Sequence, residues 1–248
     1  MSAQAGALAI EARGLTKKFG DRKAVRPLDL AIARGESVAL FGPNGSGKTT
    51  LIRMLTSTLR PSAGSFKIAG LDPREADRAA RRRVGALFHQ TFLYDELSAR
   101  DNLLFFGGLY GVADAPERAD RLLEAMGLAD RADDTVGSFS RGMQQRLALA
   151  RCLIHDPEVV FLDEPFTGLD PLSASTFMQA LGELHERGRT VLLVTHNLAR
   201  GLELCQRWII VNRGRIADQG DSAGLDAAEM ERIYIDRIRR APAKRRPS

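Results

Sequence analysis

The run Gly42-Pro43-Asn44-Gly45-Ser46-Gly47-Lys48-Thr49 constrains this chain more than any other stretch. It fits a phosphate-binding pattern of one glycine, four free positions and then Gly-Lys-Thr. The apolar segment Ser37 to Phe41 before it reads as a buried strand. Thr50 to Leu59 after it reads as a helix with Leu51, Ile52 and Leu55 on one side. A strand, a glycine loop and a helix in that order make a concave nest of backbone N–H groups. The helix N-terminus adds its partial positive charge. In such a setting Lys48 is expected to reach the β- and γ-phosphates of a nucleotide and the Thr49 hydroxyl to ligate Mg²⁺, with Thr50 in the same cradle.

A chain of 248 residues, 44% of them hydrophobic, has material for one large domain or two small ones. The net charge is +5, and much of the excess follows Asp236 as Arg237, Arg239, Arg240, Lys244, Arg245 and Arg246. Such an end reads as a solvated tail rather than a nucleic-acid or lipid site. Cys152 and Cys205, the only cysteines, sit among apolar neighbours. They are expected to be buried thiols in a reducing compartment, with no disulfide. No run of about 18 apolar residues marks a transmembrane helix. Met1 to Ala7 lack the basic start and apolar run of a signal peptide. The chain is expected to be soluble, so any membrane spans must come from a partner.

Leu8–Ala12 and Leu28–Ile32 alternate as half-buried antiparallel strands do, with Lys17-Lys18-Phe19-Gly20-Asp21 read as the turn between them. Phe19 there either staples the turn to the core or stacks on a base. Ser65–Gly70 reads as an edge strand and Arg74–Arg83 as a charged, solvated helix. The short strand Val84–Phe88 delivers His89 and Gln90 at its carboxyl end, where parallel sheets bind ligands. From residue 91 the pattern turns helical, with Gly107, Gly108, Gly111 and Pro116 as punctuation. Ser140 is placed to cap the helix carrying Leu147, Leu149, Ala150, Leu153 and Ile154, and with Gly142 it forms a second anion site. Val159–Leu162 reads as a buried strand ending in Asp163-Glu164. Paired acids there are costly to bury unless a cation or a water needs them. Asp163 suits Mg²⁺, and Glu164 suits a general base that polarises water. Thr167–Pro171 reads as a turn opening a helix to Glu186, and Thr190–Thr195 as a strand ending at His196. His155 and His185 are expected on surfaces. Arg207–Gly220 reads as a hairpin turning at Asn212-Arg213-Gly214-Arg215.

Taken together, Leu8 to Gly220 resembles the nucleotide-binding subunit of an ATP-binding-cassette transporter. Phe19 falls at its adenine-stacking turn, Gly42–Thr49 at Walker A and Gln90 at the Q-loop. Ser140-Arg141-Gly142-Met143 falls at the signature, Asp163 and Glu164 at Walker B, Asp170 at the D-loop and His196 at the switch histidine. The resemblance implies an α/β, P-loop NTPase fold: a RecA-like mixed sheet with an N-terminal antiparallel β subdomain and a helical signature subdomain. It implies an ATPase domain over 1–220, with the helical part at about 91–155 and a basic C-terminal helix or tail at 221–248. ATP is the implied ligand, held by Phe19, Gly42 to Thr50, Ser140, Gly142 and Asp170. Mg²⁺ is implied at Thr49, Gln90 and Asp163, and catalysis at Glu164, His196, Gln90 and Lys48. Two copies are implied to pack head to tail, so that Ser140 and Gly142 reach the partner copy's nucleotide. An integral-membrane subunit would dock near the Q-loop at the cytoplasmic face, with no specific nucleic-acid partner. Phe139, Arg141 and Met143 depart from the commoner Leu-Ser-Gly-Gly-Gln signature in the manner of type-2 exporters. The nearest resemblance is to the haem-exporter subunit of cytochrome c maturation, with drug, polysaccharide and sodium exporters sharing much of the pattern. A chromosome-type ATPase would carry coiled coils or zinc modules, and a small-molecule kinase would have no use for Ser140, Asp170 and His196.

Overall fold

The computed structural model describes residues 7–75 and 77–239. Two sheets share the chain. The first is antiparallel and built from β1 (Leu8–Phe19), β2 (Arg22–Ala33) and β4 (Ala63–Ile68), in the order β2-β1-β4. The second has six strands in the order β5-β6-β7-β3-β8-β9: β5 (Val84–Leu87), β6 (Val159–Asp163), β7 (Thr190–Val194), β3 (Ser37–Phe41), β8 (Arg207–Asn212) and β9 (Arg215–Asp221). Its first five strands run parallel, and β9 returns antiparallel to β8.

Strand β3 is central, and all five of its residues are buried. Its alternating side chains divide between two cores. Val38 and Leu40 join Phe161, Leu192, Ile209 and the antiparallel sheet, over the helix α1 (Lys48–Leu55). Ala39 and Phe41 join Leu162, Leu193 and Trp208 on the other face, under the helices. Burial on both faces explains why these strands read as unbroken apolar runs.

The helices after α1 are α2 (Asp77–Arg82), α3 (Ala99–Tyr110), α4 (Ala115–Ala125), α5 (Arg141–Leu153), α6 (Pro171–Glu186), α7 (Leu198–Leu204) and α8 (Ala227–Arg239). Several expectations about elements need correction. The β1–β2 turn is only Gly20-Asp21, because Lys17 to Phe19 still pair with β2. Helix α1 ends at Leu55, its C-cap Thr56 being followed by Ser57 at φ 60. The expected charged helix begins only at Asp77, and Arg74 instead pairs with Asp72 ahead of it, at 2.6 Å. Gly107 and Gly108 lie inside α3, whose left-handed cap is Gly111. Helix α7 had no counterpart in the sequence reading. Arg237 is not in a solvated tail but in α8, paired with Asp218 of β9 at 2.6 Å. Arg240, Lys244, Arg245 and Arg246 lie outside the described residues.

Candidate functional site

The loop between β3 and α1 takes its shape from left-handed glycines: Gly42 at φ 150, Gly45 at φ 75 and Gly47 at φ 110. No side chain is tolerated at the first or last of these. A Cβ at Gly42 would lie 2.2 Å from the Val211 carbonyl oxygen, and one at Gly47 would lie 2.6 Å from that of Ala24. Lys48 folds back over the loop, its ammonium donating to the carbonyls of Gly42 (2.6 Å) and Pro43 (3.2 Å). Burial pushes its pKa below the usual range, with Glu164 and Asp163 pulling the other way. The Ser46 hydroxyl is buried and has no hydrogen-bond partner among the described residues. A buried unpaired hydroxyl beside a tethered ammonium fits a ligand rich in oxygen acceptors. In front of the loop lies a cleft of about 390 Å³, lined by Phe19, Arg22, Ala24 and the loop from Asn44 to Thr50. Phe19 is 51% exposed, with Lys17 Nζ 5.2 Å from its ring centre, so its ring lies at the surface beside the cleft rather than stapling the turn to the core.

Strand β6 brings Asp163 in from below. Burial pushes its carboxyl upward, while a hydrogen bond from the Thr49 hydroxyl pulls it down. Thr49 and Asp163 thus offer adjacent hard oxygen ligands, which suit Mg²⁺. Glu164 follows in a left-handed conformation, φ 54, which a non-glycine residue adopts at a cost of about 1–2 kcal/mol. Its N–H donates to the Val194 carbonyl (2.9 Å), and its Oε2 lies 2.7 Å from His196 Nδ1. Strands β6 and β7 end side by side, with Asp163 level with Val194, so the acid and the histidine meet at one sheet edge. Strain held at a carboxylate with one histidine partner is typical of a working position.

Ser140, Gly142 and Asp170 form a second cluster. Ser140 is exposed and caps α5, accepting from the Met143 N–H at 3.3 Å. Asp170 caps α6, accepting from the N–H and the hydroxyl of Ser173 at 2.9 and 2.8 Å. A Cβ at Gly142 would lie 2.6 Å from Ser173 Oγ, so glycine lets the two helix starts touch. Arg141 lies over Gly168, where a Cβ would come within 2.9 Å of its guanidinium carbon. None of these residues lines the phosphate-loop cleft. Gln90 is exposed beyond the carboxyl end of β5, also outside that cleft.

Residues 25–167 match the family model described as "ABC transporter". The chain belongs to the ABC transporter family. Among curated relatives it is 44% identical to the daunorubicin resistance ATP-binding protein DrrA3 of Streptomyces coeruleorubidus, over 88% of this chain and 70% of that protein. It is 40% identical to a fluoroquinolones export ATP-binding protein of Mycobacterium tuberculosis, over 93% of this chain and 77% of the relative. Among solved structures, the ATP-binding subunit of an ABC transporter superposes with a TM-score of 0.85 at 28% identity, covering 92% of this chain and 99% of the other. A dimeric ATP-binding cassette in a post-hydrolysis state with ADP and Pi gives 0.78 at 30% identity, covering 87% and 100%. The cassette is therefore an ATPase that binds ATP and ADP, built as a P-loop fold with a mixed sheet, an antiparallel sheet and a helical subdomain. No described helix is long and apolar enough to cross a membrane.

Sequence reading missed several residues around these clusters. Arg22 pairs with Phe19 across the hairpin and reaches the cleft, where a Cβ at Gly45 would lie 3.8 Å from its Nη2. The hairpin register would have revealed it. Gln145 is buried and donates to the Pro165 carbonyl (3.2 Å), linking α5 to the exit of β6. His155, expected on a surface, is instead stacked on Tyr110 at 3.8 Å, with Nε2 at 2.9 Å from the Val84 carbonyl. Burial lowers its pKa to about 4. It fastens α3 of the helical block to β5 of the sheet. Cys152 and Cys205 are free buried thiols, pushed up to about 12 by burial.

Proposed function

We propose that this cassette is the ATP-hydrolysing subunit of an exporter and that it works as a homodimer sharing two nucleotide sites. In this reading the nest of Gly42 to Thr50 holds the phosphates, Lys48 moves from its loop carbonyls onto the β- and γ-phosphates, and Phe19 stacks on the adenine. Thr49, Asp163 and Gln90 would hold Mg²⁺, whose charge would offset that building on the transferred phosphoryl group. Glu164 accepts the proton of the attacking water, and His196 fixes its carboxylate through the 2.7 Å contact. Ser140 and Gly142 would contact the γ-phosphate bound to the second copy, with Asp170 bridging the two sites. The observation that carries this reading is the separation of the clusters: the signature residues line no part of the cleft that the phosphate loop forms.

Within this scheme residues 1–220 are the nucleotide-binding domain, about 91–155 its helical subdomain and 221–248 its basic C-terminal appendage. The groove beyond Gln90 receives a helix of an integral-membrane subunit, which places the cassette at the cytoplasmic face. The daunorubicin-resistance and fluoroquinolone-export relatives favour small drug-like molecules as cargo, and they lend no support to a haem exporter.

Complementation tests the shared site. Lys48→Ala and Ser140→Ala proteins are each expected to be nearly inactive alone. A mixed dimer keeps one intact site, Lys48 from one copy and Ser140 from the other, so mixing restores ATPase activity. No recovery on mixing, with dimers demonstrably exchanged, would place both clusters in one protomer's site and end the proposal.

A further inference from the structure

We infer that Asn212 is a positioning residue for ATP binding, because it ties the end of the C-terminal helix α8 to the turn on which the phosphate loop rests. The inference takes Gly42 to Thr49 as the nucleotide cradle.

The β8–β9 hairpin closes through Arg213 and Gly214, both left-handed at φ 50 and 76, the pairing that a tight two-residue hairpin turn requires. This turn is built into the phosphate loop. The Gly214 N–H donates to the Ser46 carbonyl at 2.8 Å, and the Arg26 N–H on β2 donates to the Gly214 carbonyl at 2.8 Å. At the loop's other end, Gly42 packs so closely on the Val211 carbonyl that no Cβ fits between them. Both ends of the cradle therefore lean on residues 211–214.

The same turn is held from below by α8. Asn212 is 8% exposed, and its amide nitrogen donates to the carbonyls of Ile238 (3.2 Å) and Arg237 (3.4 Å). These carbonyls belong to the last described turn of α8. A second tie runs alongside, from the Arg237 guanidinium to the Asp218 carboxylate on β9 at 2.6 Å. The inner face of α8 is anchored by Met230, which has no exposed surface. If the Asn212 donors are lost, the turn loses one of its ties to α8, and the Ser46 end of the loop is held less firmly with it. Preorganised backbone donors lose much of their value when they must move to meet an anion. The chemistry at Glu164 and His196 stands on other strands and is left alone.

The test is steady-state ATPase kinetics and direct ATP titration of the full chain. Asn212→Asp keeps the shape, removes the donors and sets a charge against two carbonyls. It is expected to raise KM for ATP by about 5- to 10-fold with kcat within about twofold, the cost of one buried hydrogen bond felt in binding alone. Arg237→Ala is expected to move KM the same way by a smaller factor, which keeps the inference testable if the Asp variant does not fold. Leu123→Ala, a buried change in α4 remote from the turn, serves as the control for general loosening. It should lower the thermal midpoint and leave KM unchanged. Emission from Trp208, the single tryptophan, reports on the hairpin itself. Unchanged KM in Asn212→Asp and Arg237→Ala, or an equal rise in Leu123→Ala, would overturn the role of Asn212. Lys48→Ala separates the two readings. If it binds ATP normally, the cradle itself is misread, whereas lost binding there beside a normal Asn212→Asp removes only the tie.

Discussion

The phosphate-loop end and the signature end of the cassette are built on opposite principles. At the first, a lysine and a carboxylate are buried, with both pKa values displaced by burial, a hydroxyl is unpaired and a glutamate is held at positive φ. The buried lysine, carboxylate and hydroxyl are costs in the free protein that an incoming polyanion, cation or water can offset, and the backbone strain at Glu164 is a further cost held at the same end. At the second, Ser140 is exposed and already serves its own helix, Gly142 is filled in by Ser173, and Asp170 is engaged in a cap. One end stores demand for a ligand, and the other is comfortable without one. A difference of this kind suits a nucleotide that binds first to the demanding end and is covered afterwards.

Substitutions at the two ends should have unlike effects. Glu164→Gln should reduce turnover by about 10²–10⁴, or roughly 3–5 kcal/mol, while leaving ATP binding intact and trapping an ATP-dependent dimer on a sizing column. Full turnover would remove Glu164 from the demanding end. Lys48→Ala should weaken ATP affinity by about 10- to 100-fold, the weight of charge-assisted hydrogen bonds, in a direct binding measurement. Between the two ends, His155 joins the helical block to the sheet. Its folded-state pKa of about 4 lies below the usual 6.5, so the unfolded chain binds the extra proton first. Its contribution to stability is present above pH 6.5 and is lost as pH falls toward 4, by at most about 3 kcal/mol. Chemical denaturation across that range should show a slope that His155→Gln flattens.

Ser140→Ala should cost about 1 kcal/mol of stability from the lost cap, and it should depress turnover without changing ATP affinity in the monomer. A loss of monomer affinity would move the signature into the same protomer's site. The smallest effect is expected from Arg141→Gly, which restores the commoner signature residue and should change turnover by less than about threefold. Because Arg141 covers Gly168, a complete loss would mean that this contact holds the loop after Glu164 in place.

Much of the demanding end could be read from the chain because its residues are local. Gly42 to Thr50 are contiguous, and their spacing alone dictates a nest at a helix start. The cap Ser140 was equally legible, since a capping side chain answers to N–H groups three residues ahead. Other features depend on partners far along the chain. Helix α7 has seven residues and contains Gly201, where a Cβ would strike the Phe41 ring at 2.4 Å, so beyond its Asn197 cap it depends on packing against β3. The stacking of His155 on Tyr110 likewise comes from a pairing across many residues.

The phosphate nest, the motifs and the all-buried strands each follow from neighbours within a few residues, which is why they can be read along the chain. The 2.7 Å contact of Glu164 with His196, the place of the signature cluster outside the cleft and the tie of Asn212 to α8 have no such local origin. Those relations are set by which strands lie side by side and how tightly helices seat on them, and no local spacing encodes such long-range packing.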